Sequence, residues 1–333
     1  YPGYGNLVGR DVGARAVLQV CELGLGVDGE MQVYLDITEL PEEKMHKLEA
    51  VLDIYQKFTG DDPRKVPMKI FPAVHYSMGG AWVDWPAVDD PDRGARFRQM
   101  TNVPGCFNCG ESDYQYHGAN RLGANSLLSC IFGGLVAGDE VPRYIDTLTS
   151  GFDGVSASTY EQAVQIEEAF KADLIRRNGP ENVFQLHEEL AQAMVLNVTV
   201  KRHNSDLAKT MDKIKELRAR YQNISLDDKG IFANQSLQFA QQFAAMLELA
   251  LVITKGALLR DEFRGSHFKP EFPERDDINW LKTTIATYAK EEPIITYQPV
   301  DTRHLEPARR DYTVAKKIRP ELKNIPAHIH LPI

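Results

Sequence analysis

Cysteine is scarce: Cys21, Cys106, Cys109 and Cys130 are the only four in a chain of 333 residues. A chain of this length can bury two or three cores without covalent staples, so a disulfide framework is not expected and a reducing compartment is. Long apolar runs are missing too. The richest stretch, residues 239–259, is interrupted by Gln241, Gln242, Glu248 and Lys255, and no membrane-spanning segment is predicted. Basic residues are outnumbered, 38 against 47, for a formal net charge of -9, which argues against a polyanion such as nucleic acid as ligand. An acidic chain that binds a small dianion must instead gather Arg and His locally. There is no internal repeat or low-complexity segment, and the start at Tyr1, with neither Met nor a charged and apolar leader, is read as a truncation.

A phosphate-cradling motif is also lacking. Gly24-Leu25-Gly26-Val27-Asp28-Gly29 spells G-x-G-x-x-G, but the dinucleotide fingerprint needs a strand before it and a helix after it. Here Val12, Ala16, Val20 and Leu23 recur at helical spacing within residues 11–23, with Asp11 suited to the helix start, while residues 31–37 alternate apolar and polar. A helix precedes and a strand follows, so the glycines are read as a turn. Cys106 and Cys109 form a lone C-x-x-C, a spacing that suits a redox pair or half of a metal site. No second Cys/His pair stands at ligand spacing, and ordinary strand or loop residues are the reading adopted.

The rest of the pattern is periodic. Residues 42–58 place Met45, Leu48, Leu52, Tyr55 and Phe58 on one helical face, with Gly60 where a C-terminal cap would fall. A Pro-marked crossing over residues 62–72 leads into a Gly-rich region of short strands up to about Gly138. Beyond Pro142 about a hundred residues read as helical, including residues 205–221, striped by Leu207, Met211, Ile214, Leu217 and Tyr221, and residues 231–259. Such stripes are bundle core rather than a cofactor box. After Pro273, residues 283–288 and 294–297 alternate as short strands before a Pro-rich tail.

The chemistry concentrates in residues 70–138. A strand carries His75 into a Met78-Gly79-Gly80 turn, and a further turn and strand end in Gly110-Glu111. A Gly-rich loop then brings His117, Asn120 and Arg121 into a helix that opens near Asn125-Ser126 and contains Gly133, Gly134 and Gly138. Glycines inside a helix are unfavourable unless another backbone packs closely on them. Two readings fit equally well: a purely structural Gly-rich turn, or a planar cofactor at the helix N-terminus, where free N–H groups stabilise negative charge on a reduced ring.

The strings HYSMGG (75–80), Gly110-Glu111 and HGANRLGANSLL (117–128), with the Gly-containing helix after them, resemble the flavoprotein subunits of succinate dehydrogenases and fumarate reductases. PGYGNLVGRD, GDDPRKVPMKIFPAVHYSMGG and RLGANSLLS resemble the Gram-positive, Bacillus-like branch in particular. RGSHFKPEFPERDDINWLKTT (264–284) is similar to the RGAH and RDD-NWL stretch of that family. The resemblance covers nearly the whole chain and implies the carboxyl-terminal part of such a subunit. The departures touch no site residue: Cys106 and Cys109 stand where aliphatic residues or Ala are usual, Gly9 precedes Arg10 where Pro is frequent, and Ala81 follows the double Gly.

The resemblance implies an α+β multidomain fold. Residues 1–72 would end a capping domain, 73–149 return to the FAD-binding domain, 150–263 form a helical bundle domain and 264–333 a small C-terminal α+β domain. It implies interconversion of succinate and fumarate by hydride transfer to or from N5 of FAD, whose covalent attachment site is expected outside this chain; no metal site is expected. By position, Arg10 in the G-R-D string matches the proton-transfer residue, and His75 and Arg121 match the pair that binds the dicarboxylate. Glu111 matches the acid at the flavin ribityl chain, and Asn125, Ser126 and Leu127 the helix start at the isoalloxazine ring. The planar fork of Arg suits a carboxylate, and a strand would hold His75 rigidly as a further donor. Arg is not ordinarily deprotonated, so the role of Arg10 requires proton-carrying neighbours, which in the family precede this sequence. The implied partners are an iron-sulfur subunit and a membrane cytochrome b or quinone-binding anchor, and the implied place is peripheral, at the cytoplasmic face of the bacterial cell membrane. Two other readings are an L-aspartate oxidase-like flavoenzyme and a truncated, non-catalytic fragment; taken alone, the polypeptide is expected to be inactive.

Overall fold

A computed structural model describes residues 8–87, 89–123, 125–303 and 305–308. They fall into two units, residues 8–74 with 305–308 and residues 75–303.

In the first unit, helix α1 (Arg10–Glu22) follows Gly9 as its N-cap and buries Val12, Leu18 and Cys21. Asp11, expected to start the helix, is its second residue; it is buried and reaches Arg15 at 3.1 Å, one turn on. The glycine-rich string is a turn, with Gly24 and Gly29 at φ +73° and +78°, preceded by α1 and followed by β1 (Val33–Leu35). That strand is shorter than the predicted 31–37, because only Val33 to Leu35 find partners on β2 (Met68–Ile70), antiparallel, with Tyr34 opposite Lys69. The single helix predicted over 42–58 is two, α2 (Glu42–His46) and α3 (Glu49–Thr59). The Leu48 N–H turns back to the Met45 carbonyl, a three-residue bond that ends α2. Of the predicted apolar face only Leu52 is buried, and Phe58 is 87% exposed. Gly60 caps α3 at φ +82° as expected.

The second unit opens with residues 75–124, which contain no strand among the described residues, only the isolated bridges Ala81 to Asp113 and Met100 to Phe107. The strand expected to carry His75 is therefore absent: His75 is exposed in irregular chain. Its neighbours bond outside any ladder, Ser77 N–H to the Glu111 carboxylate and Ala81 N–H to the Ser112 carbonyl. Helix α4 (Asn125–Ile145) starts where predicted and runs through Pro142. Gly133 is the close approach anticipated, since a Cβ there would lie 2.8 Å from the Cys109 Cβ and 3.3 Å from the Gly110 nitrogen. At Gly134 and Gly138 a Cβ would meet nothing among the described residues.

Four helices follow, α5 (Ala157–Arg176), α6 (Val183–Met194), α7 (Asn204–Tyr221) and α8 (Gln235–Leu258). All five residues of the predicted stripe at 207–221 are buried, Leu207 in a small cluster with Val198 and Ala257 and the other four in a core shared with Leu174, Leu186, Phe243, Leu247 and Leu251. Helix α8 begins at Gln235 rather than 231 because Asn234 caps it, accepting from Leu237 N–H at 2.8 Å, and Ile231 and Phe232 are left exposed outside it. By length and composition α8 could cross a membrane; here it packs against α5, α6 and α7. After α9 (Asp277–Trp280), strands β3 (Lys282–Thr287) and β4 (Ile294–Pro299) pair antiparallel, close to the predicted positions. The described chain is a helix-rich α+β fold with two small sheets.

Candidate functional site

The segments 75–80 and 117–121 meet in the second unit. Arg121 N–H donates to Met78 Sδ at 3.0 Å, and its guanidinium carbon lies 4.8 Å from the centre of the Tyr76 ring. One terminal nitrogen donates to the Leu122 carbonyl at 3.2 Å, and among the described residues Arg121 is paired with no carboxylate. Stacking on an aromatic face orients the fork without using up its N–H donors. Tyr76 is fixed in turn. Its Oη is 3.2 Å from both Ser129 Oγ and His117 Nε2, which are themselves 3.2 Å apart. Ser129 donates to the Ser126 carbonyl at 2.7 Å, so its oxygen accepts within this triangle. Burial, and then the charge of Arg121, pull His117 below the ordinary imidazole value, so it is a neutral hydrogen-bonding group at neutral pH. The exposed side chain of His75 makes no hydrogen bond among the described residues.

Glu111 sits in a 3-10 turn, Gly110–Ser112, and one carboxylate oxygen accepts the Ser77 N–H at 2.9 Å. Of the double glycine, Gly80 is required at this contact: a Cβ there would stand 2.6 Å from the Ser112 carbonyl carbon. On the other side Gly110, at φ +73°, packs against Cys130 of α4, so Glu111 is strapped between the 75–80 segment and that helix. Asn125 N–H donates to the Leu122 carbonyl at 3.3 Å. The following first-turn N–H groups have no partner within the helix and lie at the positive end of its dipole. Leu127 and Leu128 are exposed there, and at Gly79 and Gly123 a Cβ would meet nothing among the described residues.

Sequence reasoning had no role for Tyr76, Met78 or Ser129. The available signal was position: Tyr76 follows His75 directly, and Ser129 stands one helical turn after Asn125. Arg10 is the first residue of α1, exposed, with no ion-pair partner among the described residues. It belongs to the first unit, whereas His75, Glu111, Arg121 and the start of α4 belong to the second. Cys106 and Cys109 are free thiols in exposed loop, and the described residues hold no cluster of three His, Cys, Asp or Glu that suits a metal. A cleft of about 560 Å³ lined by Lys215, Arg218 and Glu248 lies elsewhere. Its cations are taken, Lys215 by Glu292 at 2.5 Å and Arg218 by Glu248 at 3.1 Å.

The family described as "FAD binding domain" matches residues 3–127, and "Fumarate reductase flavoprotein C-term" matches residues 187–312. The chain is 49% identical over 320 residues, 95% of its length, to the succinate dehydrogenase flavoprotein subunit of Bacillus subtilis, and covers 53% of that protein. It is 32% identical to the fumarate reductase flavoprotein subunit of Escherichia coli, over 84% of this chain and 45% of that protein. A quinol-fumarate reductase structure containing menaquinol superposes with a TM-score of 0.78 at 30% identity, covering 91% of this chain and 51% of that one. Adenylylsulfate reductase from Archaeoglobus fulgidus, at 17% identity and a TM-score of 0.65, shares the fold alone. The chain spans about half the length of the curated relatives it matches. With nearly every residue aligned to such a subunit, it belongs to the flavoprotein-subunit family of succinate dehydrogenases and fumarate reductases.

Proposed function

We propose that this chain is part of the flavoprotein subunit of a succinate:quinone oxidoreductase that interconverts succinate and fumarate. The observation that carries the reading is the unpaired fork of Arg121, stacked on Tyr76 beside the HYSMGG segment. In a chain with 47 acidic residues, a cation left without a carboxylate of its own can receive one from a ligand. His75 would supply a further donor to the dicarboxylate.

The residues present fit the ring end of FAD. The start of α4 offers apolar Leu127 beside open glycine surface and free N–H groups, which suits a flat ring with polar edges. Asn125, Ser126 and Leu127 would hold the isoalloxazine ring and Glu111 the ribityl chain. When bound, FAD supplies the hydride acceptor, its N5. Arg10, first relieved of a proton by the proton-carrying neighbours its role requires, would take the proton from the neighbouring substrate carbon during oxidation, and in its protonated form would return it during reduction. First-turn amides of α1 place further positive potential beside it.

Residues 1–72 complete a capping domain, 73–149 the substrate-facing side of the FAD-binding domain, 150–263 a helical domain and 264–333 a terminal domain. The change of unit after residue 74 supports the first border. The partners are an iron-sulfur subunit and a quinone-binding membrane anchor, at the cytoplasmic face, in line with the menaquinol-bound relative. An L-aspartate oxidase-like reading is not favoured, given 49% identity through 95% of the chain to a succinate dehydrogenase subunit.

Arg121→Lys in the complete enzyme tests the reading. It replaces a bidentate fork by a point charge, and loss of one charge-assisted bond, about 1.5 to 3 kcal/mol, should weaken succinate, fumarate and malonate together by roughly ten- to a hundredfold. Unchanged malonate inhibition would remove Arg121 from the site.

A further inference from the structure

The loop that carries Arg121 is held from its other side by a turn far along the chain. Arg264 to His267 close on each other through two backbone bonds of 3.0 Å, with Gly265 at φ +59°. Ser266 presents two donors to a single acceptor: its N–H at 2.9 Å and its hydroxyl at 2.8 Å both donate to the Ala119 carbonyl, two residues before Arg121. Gly265 permits that approach, since a Cβ would lie 2.8 Å from the Ala119 carbonyl carbon and 3.0 Å from the Asn120 Cβ.

The turn itself stands on a buried polar base. His267, 7% exposed, has Arg202 Nη1 at 2.6 Å from its Nδ1 and the Arg260 carbonyl at 2.9 Å from its Nε2, so Nδ1 accepts and Nε2–H donates. Arg202 is tied further to the Val198 carbonyl at 2.7 Å. Arg264 Nε donates at 2.8 Å to Glu262, a fully buried carboxylate that also meets Arg260 at 2.6 Å. A base satisfied on this scale does not shift freely. The 117–121 loop is thus clamped between two supports, the Ser266 turn at Ala119 and the Met78 and Tyr76 contacts at Arg121.

We infer that Ser266 and Gly265 are positioning residues for Arg121, setting how closely its guanidinium matches a dicarboxylate ligand without touching that ligand. This rests on the reading of Arg121 as a carboxylate-binding residue. Ser266→Ala removes the hydroxyl bond and keeps the backbone one, while Gly265→Ala drives a methyl group into the Ala119 carbonyl.

The test uses the complete flavoenzyme with its partner subunits. Malonate Kd is read from a flavin absorbance titration, succinate KM and kcat from steady-state kinetics, and Tm from thermal unfolding. For the loss of one hydrogen bond, Ser266→Ala should raise malonate Kd and succinate KM together by about two- to tenfold, with kcat within about twofold if only binding is affected. Gly265→Ala should move the same two quantities further, and Ser266→Thr, which keeps a hydroxyl, should restore them. Should Gly265→Ala fail to fold, Ser266→Ala and Ser266→Thr decide alone. A fall in Tm with Kd and KM unchanged would make the contact merely structural and overturn the inference. Arg121→Lys is measured in parallel. If it weakens malonate while Ser266→Ala does not, the inference alone fails. If it leaves malonate unaffected, the reading of Arg121 falls and takes the inference with it.

Discussion

The helices α6 and α7 and the two segments 75–80 and 117–121 treat their cations in opposite ways. On the helices Arg220 lies within 2.9 Å of Glu181, 2.8 Å of Glu189 and 3.1 Å of Glu216, and Lys213 within 2.6 Å of Glu189. Those contacts push the Arg220 guanidinium up and hold Glu189 down at about 2, both through hydrogen bonds. In those two segments, Arg121 rests on an aromatic face and His75 has no hydrogen-bond partner among the described residues, while the loop between them pairs Arg96 with Asp84 at 2.6 Å as the helices do. Where acids are in excess, pairing is the default fate of a basic side chain. A cation kept free of it beside a glycine-rich turn is held for a ligand, while a paired one serves packing.

The largest departure from this contrast is expected at Arg10, an exposed Arg without an ion-pair partner among the described residues. Arg10→Gln in the complete enzyme should lower turnover by roughly 10² to 10⁴, the scale of a lost general acid or base, with malonate affinity within a few fold. If Arg10 were only another carboxylate anchor, malonate titration of the flavin would show affinity and turnover falling together. Near-normal turnover would return Arg10 to the ordinary surface.

Next comes the packed side of the contrast. Phe243→Ala empties a fully buried ring position on α8 and should cost about 3 to 5 kcal/mol in urea unfolding, a loss centred on the helices. A much smaller cost would mean that the α6–α8 core is not the stabilising element. His267 gives a pH-dependent case. Burial, then the charge of Arg202, bring it down to about 3, against an unfolded value near 6.5. Below about pH 6.5 the unfolded chain takes up a proton that the folded chain refuses. The contribution is therefore complete above that pH and shrinks by about 1.4 kcal/mol per unit below it, roughly 2 kcal/mol by pH 5. His267→Gln, whose amide can accept from Arg202 and donate to the Arg260 carbonyl, should flatten that part of the stability profile between pH 6.5 and 5. A profile parallel to the parent would show that His267 protonates freely in the fold. At the small end, Arg303→Ala breaks an exposed pair with Asp301 and should leave Tm unchanged, as solvent-screened pairs contribute little.

The sequence was most legible where one physical signal acted alone. The stripe at 207–221 became a buried helix face, because burial and periodicity agree there, and the alternation near 283–297 became a hairpin. It was least legible where local bonds competed. Leu48 broke a helix that its apolar spacing would have continued, and Asn234 moved the start of α8 past two aliphatic and aromatic residues by offering a cap. Around the site the motif strings located the residues, yet His75 was expected on a strand and stands in irregular chain. Its neighbours spend their N–H groups on Glu111 and Ser112, contacts more than thirty residues away that no local pattern encodes. The Ser266 contact with Ala119 spans 147 positions, and only the close approach at Gly265 makes it visible.

Pro142, inside α4, has one more effect. It has no proton to give the carbonyl four residues back, which belongs to Gly138, an exposed residue without a side chain to keep water away. One rung of the helix ladder is replaced by solvent. Within that turn, the buried Glu140 ties the end of the helix to Arg93 and to Arg143 at 2.8 Å, while before it Ser129 and Gly133 tie the beginning to the Tyr76 and Glu111 contacts. In amide hydrogen exchange α4 should therefore behave as two segments. Arg143, Tyr144 and Ile145 would open together on their own timescale, and the turns before Gly138 would stay protected for as long as the Tyr76, His117 and Ser129 triangle holds.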